Sequence, residues 1–227
     1  MPDTEQMFPQ DDLRAMLATA KGLAATARVA RLDELVTPAP DRERWGLDAL
    51  RGRLTELSAR GATATLTTAV ELVLEAQHAA EPVAWVTLGN GTFYPPDVAD
   101  SGVDLAALVV VRVIDAVTAA RAAERLLRSG AFGLVILDFG GGGAVELSIA
   151  HQGRLVTLAQ AHDAAVVCIT EKASDAASLG SLVSLRAEAL RLRDHDHAYD
   201  VTLRVLKDKR RGPGWSRTLK LRGPAGF

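Results

Sequence analysis

The sequence predicts an α/β protein with a mostly parallel central sheet, an antiparallel C-terminal extension and an N-terminal helix. Three observations lead there. From about residue 46, short apolar runs alternate with stretches of helical period, the pattern of strands joined by crossover helices. Runs such as Leu108-Val109-Val110-Val111 and Leu134-Val135-Ile136-Leu137 are continuously apolar, as expected of parallel strands covered on both faces. After residue 180 the period shortens to two, with Val201, Leu203 and Val205 pointing one way and Leu219 and Leu221 repeating the habit later.

Taken in chain order, residues 11–32 form the first element. Leu13, Leu17, Ala20, Ala24 and Ala27 recur at three and four, one stripe of a helix. Two prolines and a charge run then mark a linker, giving a helix over 1–35, a linker over 36–45 and a core domain over 46–227. Strands are expected at Arg53–Ser58, 83–87, Leu108–Val113, Leu134–Asp138 and Ala165–Thr170. Helices are expected over 67–80, with Ala69, Val73 and Ala76 on one stripe, over 117–129, and somewhere within 144–163. Gly212-Pro213-Gly214 supplies the turn between the last two strands.

Composition narrows the function classes. A chain of 227 residues with 48% hydrophobic and 24% charged content is an ordinary globular protein, and a net charge of −2 predicts neither nucleic-acid nor acidic-ligand binding in bulk. The C-terminal end is locally basic, with eight Lys/Arg from Arg204 to Arg222 against Asp208 alone. The single cysteine, Cys168, sits in an apolar run and reads as core, excluding a disulfide framework or a cysteine-rich zinc site. The first residues lack the order of a signal peptide and no run is long enough to span a membrane, so a cytoplasmic location is expected.

One absence shapes the functional reading. No lysine occurs between Lys21 and Lys172. A phosphate-binding loop follows G-x-x-x-x-G-K-[ST], in which lysine reaches the phosphates and the hydroxyl holds Mg²⁺. At the expected place stands Ala59-Arg60-Gly61-Ala62-Thr63-Ala64-Thr65-Leu66, where Ala59, Ala64, Thr65 and Leu66 replace all four defining residues. Starting the frame at Gly61 recovers a glycine and Thr68, but no frame restores the cation.

Several strings in one collinear order resemble a RecA core. They are Gly52-Arg53-Leu54-Thr55-Glu56-Leu57, Glu75-Ala76-Gln77, Ala84-Trp85-Val86, Gly102-Val103-Asp104-Leu105, Leu127-Arg128-Ser129-Gly130-Ala131, Leu134-Val135-Ile136-Leu137-Asp138 and Val205-Leu206-Lys207-Asp208-Lys209. The short length, the substituted loop and the Arg-Ser-Gly-Ala-Phe-Gly-Leu-Val-Ile-Leu-Asp string look most like the ImuA family, RecA-like accessory proteins of damage-induced translesion synthesis. That resemblance implies a nucleoid-associated protein that partners RecA and ImuB, a polymerase-like subunit, and through it an error-prone C-family polymerase. It implies no membrane partner, and leaves direct contact with DNA open.

The family's ATPase chemistry does not carry over. The position of RecA's catalytic glutamate falls at about Gly89, and Gly89-Asn90-Gly91-Thr92 contains no carboxylate. Asp138 matches the Walker-B aspartate, but a lone aspartate positions neither Mg·ATP nor water. It reads instead as a residue that caps the following loop or bonds a neighbouring strand. No catalytic residue, cofactor or metal is therefore expected, and the chain is expected not to be an enzyme.

Other candidates carry two readings each. Gly140–Gly143 stands where RecA carries its first DNA-binding loop and reads as a flexible connection. The second such loop falls near 172–181, where Lys172 is the one cation and no aromatic offers a stacking platform. His195 and His197 read as a polar turn instead of a metal site; His151 and His162 read as isolated surface or boundary residues. Lys207 and Lys209, with Arg210 and Arg211, match lysines that in RecA filaments reach the neighbour's phosphates; they meet nucleic-acid phosphates or an acidic partner surface, or are cations on an exposed strand edge that discourage edge-to-edge pairing. Leu13, Met16 and Leu17 dock a partner, or fold back on the core. The leading expectation is a scaffold that couples RecA to a translesion polymerase complex without ATP. The alternatives are a SulA-like cell-division inhibitor, a single-strand DNA-binding module and a weak ATP-dependent recombinase.

Overall fold

The computed structural model describes residues 45–222 except 62, 90, 92, 142, 144 and 194–197. The expected N-terminal helix with Leu13, Met16 and Leu17 lies outside the described residues, as do nearly all of the linker, His195 and His197. The order among the described residues is α1 (Leu47–Leu50), β1 (Arg53–Ser58), α2 (Thr65–His78), β2 (Val83–Leu88), α3 (Pro95–Asp100), a 3₁₀ turn (Leu105–Ala107) and β3 (Leu108–Val113). It continues with α4 (Ala116–Arg128), β4 (Leu134–Asp138), α5 (Ile149–Ala161), β5 (Ala165–Thr170), β6 (Leu185–Arg193), β7 (Ala198–Asp208) and β8 (Ser216–Arg222).

The strands form one eight-stranded sheet in the order β3-β2-β4-β5-β1-β6-β7-β8. β1 to β6 run parallel, and β7 and β8 add antiparallel. Two apolar layers cover it. On one face α1 and α2 pack Leu47, Leu50, Ala69, Val73 and Ala76 against Leu57, Trp85, Ile136 and Val167. On the other, α4 and α5 pack Ala120, Ala123, Leu127 and Leu155 against Leu54, Val86, Leu137 and Val166. Strands buried on both faces have no polar side to display, which is why their sequence shows no alternation.

All five expected strands form, and β2 is one residue longer than expected. α2 both begins and ends two residues early. Its end is set by the backbone: Ala80 takes φ +57°, and the N–H groups of Ala80 and Glu81 bond back to the carbonyls of Gln77 and Ala76 at 3.0 and 2.9 Å, closing the helix with a left-handed cap. Propensity does not reveal this, because alanine is a strong helix former.

One expectation is overturned. β3 is not covered on both faces but is the outermost strand, with Val109 and Val110 44% and 38% exposed. Strand order decides which apolar run ends at an edge, and order is a property of the crossovers.

Candidate functional site

The carboxyl ends of β1, β5 and β4 meet at one edge of the sheet, where open α/β folds bind ligands. Three segments converge there: 59–64 after β1, the loop after β4 that begins at Phe139, and the long loop 171–184 after β5.

The segment in the phosphate-loop position is folded onto the sheet. Thr63 forms an antiparallel bridge with Leu190 of β6, and the Ala64 N–H donates to the Ala189 carbonyl at 3.0 Å. The Ala59 N–H donates to the Thr170 carbonyl at 3.4 Å and the Thr65 N–H to Thr63 Oγ1 at 3.1 Å. A phosphate site at a helix N-terminus depends on backbone N–H groups pointing at the ligand. Here those of Ala59, Ala64 and Thr65 are bonded to the protein itself.

Asp138 is buried at the end of β4. It accepts hydrogen bonds from the indole N–H of Trp85 at 3.3 Å, from Thr87 Oγ1 at 3.2 Å and from the Gly140 N–H at 3.0 Å. The carboxylate thus both bonds the neighbouring strand β2 and caps its own loop. Burial raises its pKa above the ordinary aspartate value; the bonds from Gly140, Trp85 and Thr87 oppose that, and nearby Glu171 adds to it. Phe93, after β2, packs on Trp85 with ring centroids 5.1 Å apart. The Gly141 N–H donates to Glu171 at 3.0 Å, tying the glycine run to the next loop.

Glu56 is a second buried carboxylate that sequence reasoning did not single out. It sits in β1 and accepts from Thr170 Oγ1 at 2.8 Å and the Leu179 N–H at 2.7 Å, with Lys172 Nζ at 3.4 Å and Arg186 Nε at 3.8 Å. Arg186 in turn donates to the carbonyls of Ala173, at 2.7 Å, and Ala176. Buried charge persists only when it is paired and hydrogen-bonded, and here the pairing fixes loop 171–184. Gln152 of α5 joins in, accepting from the Leu182 N–H at 3.1 Å. The available signal was a glutamate inside an interior strand.

The C-terminal cations are drawn into the same fastening. Lys207 donates to Ser178 Oγ at 3.3 Å, and Lys209 to the Ser181 carbonyl at 2.6 Å. Burial, with Lys209 beside it, lowers the Lys207 pKa. Arg210 reaches the carbonyls of Arg51 and Gly52 at 3.5 and 3.3 Å, and the Arg211 N–H bonds Asp208 at 3.3 Å. Asp208 itself forms a buried pair with Arg53 at 2.6 Å. β8 pairs with β7 only over Ala198–Arg204, so Lys207 has a strand partner on the β6 side alone and Lys209, Arg210 and Arg211 lie in the turn after β7.

His151 is not isolated. It sits 2.8 Å from Glu124 of α4, and Arg154 donates to the same carboxylate at 2.9 Å. Cys168 is fully buried, and burial pushes its thiol pKa up, away from reactivity. Among the described residues no group of three or more His, Cys, Asp or Glu could hold a metal ion, and no helix is long and apolar enough to cross a membrane. A cavity of about 810 Å³ lies along the outer face of α2, lined in part by Trp45, Glu71, Glu75, His78 and Arg217. Burial raises the Glu71 pKa there, partly offset by Arg217.

No model of a known protein family matches the chain, and no characterised protein matches its sequence.

Proposed function

We infer that this chain is a RecA-like accessory protein that works without binding ATP, bridging RecA and an ImuB-like polymerase subunit during damage-induced translesion synthesis in the bacterial cytoplasm. The observation that carries the reading is the state of the phosphate-loop segment. With Ala64 bonded to Ala189 and Thr63 bridged to Leu190, admitting a phosphate means breaking bonds between the loop and β6, with no lysine to repay them. Three of the RecA-type strings, in β1, β2 and β4, fall on parallel strands, and Asp138 and the 59–64 segment lie at the carboxyl ends of β4 and β1. A fold that keeps the frame and fills the nucleotide position with its own contacts suits a rigid adaptor.

The test is capture of the tagged full chain from DNA-damaged cells of its own host, before and after nuclease treatment. Nuclease-resistant recovery of RecA or an ImuB-like subunit is the expected result. Recovery of the cell-division protein, or of nothing once nucleic acid is removed, overturns it.

A further inference from the structure

The helical layer formed by α4 and α5 is basic, although the chain as a whole is acidic. Its 26 residues contain four arginines, Arg121, Arg125, Arg128 and Arg154, against Glu124 as the one carboxylate. On α4 the exposed positions are Val117, Arg121, Arg125 and Arg128, so beyond the first turn every side chain given to solvent is an arginine. They follow at intervals of four and three, one stripe of the helix. Arg121 lies near Asp115, the residue capping the helix. Among the described residues, Arg125 and Arg128 have no ion-pair partner. Glu124 is turned away from the stripe toward α5, where His151 and Arg154 hold it.

We propose that the exposed face of α4, extended by Arg154 of α5, is a docking surface for the phosphate backbone of duplex nucleic acid. Arginine presents a planar fork that meets phosphate oxygens in pairs, which a lysine does not. The stripe spans roughly 10 Å at 1.5 Å per residue. A duplex carries one charge per about 1.7 Å of its axis, so such a stretch offers several phosphates and needs no particular register or base sequence. Beyond Val117, α4 itself gives no apolar side chain to solvent to form the dry centre of a protein interface, the nearest exposed one being Ile149 at the start of α5. The helix also has no aromatic ring on which single-strand bases stack. Both absences favour a duplex backbone over an acidic protein or a single strand. The helix dipole accounts for arginines in the last turn, Arg125 and Arg128, but not for Arg121.

This inference is independent of the scaffold reading, because it concerns the isolated chain. The experiment is fluorescence anisotropy of a labelled 30-base-pair duplex of mixed sequence with the full chain over 50–200 mM salt. R125Q/R128Q is compared with R60Q/R112Q, which removes the same charge from exposed positions elsewhere, and thermal melts confirm that both fold. For about three phosphate contacts, wild-type binding is expected to weaken roughly 40-fold across that salt range. R125Q/R128Q should flatten the log–log salt slope by roughly 2, and R60Q/R112Q should leave it unchanged. No duplex binding at 50 mM salt, or equal loss in both variants, overturns the proposal. So does preference for the single strand, or for polyglutamate in place of duplex, which would mark the face as an acidic-protein surface.

Discussion

Asp138 is buried at the carboxyl end of β4, and its oxygens are occupied by Trp85, Thr87 and Gly140. Removing it orphans three donors in a dry setting, and an unsatisfied buried donor costs roughly 1–3 kcal/mol. Asp138→Ala is therefore expected to lower unfolding free energy by that order in urea titration. Asp138→Asn should cost less, because it keeps an acceptor and removes a charge that burial disfavours. The sign agrees with the raised pKa: a carboxyl whose folded pKa exceeds its unfolded one stabilises fully below the unfolded value and less as pH rises through the folded one. Unchanged stability in Asp138→Ala would contradict this structural role. Sequence alone favoured the capping role over a metal role without naming the partners, because whether Trp85 and Thr87 of β2 stand beside the residue is a matter of strand order.

Between elements, the contact of α4 with α5 is fastened by Glu124, His151 and Arg154. Burial acts to raise the Glu124 pKa, but the hydrogen bonds from His151 and Arg154 outweigh it and hold it below the ordinary glutamate value. A depressed folded pKa contributes stability above the unfolded value of about 4.3 and loses it as pH falls through the folded one. Glu124→Gln should thus cost about 1 kcal/mol at pH 7. The difference between the two proteins should vanish in thermal melts toward pH 3; a difference constant across that range would contradict the account. The five central strands and the helices α2, α4 and α5 were legible because each carries a long apolar signature; α1 and α3, four and six residues long, were not. The fastening was not, since Glu124 and His151 lie 27 positions apart and nothing in a helical pattern states which neighbour a polar side chain will find. The same limit hid Glu56 and Arg186, whose meeting requires β1 and β6 to be adjacent.

At the scale of the whole molecule, the parallel core and its antiparallel extension were readable from the change of period, and the absence of a phosphate-loop lysine from simple inspection. What the loop became was not readable. Ala59 to Leu66 has no strong local preference, and only the register of β6 brings Ala189 and Leu190 within reach of it. The C-terminal cations are a parallel case: read as a surface feature, Lys207 and Lys209 instead hold loop 171–184. If this frame works without nucleotide, isothermal titration of the full chain with Mg·ATP gives no heat of binding at millimolar nucleotide and no phosphate is released on prolonged incubation. Saturable Mg-dependent binding would contradict it, and would require the 59–64 segment to leave β6.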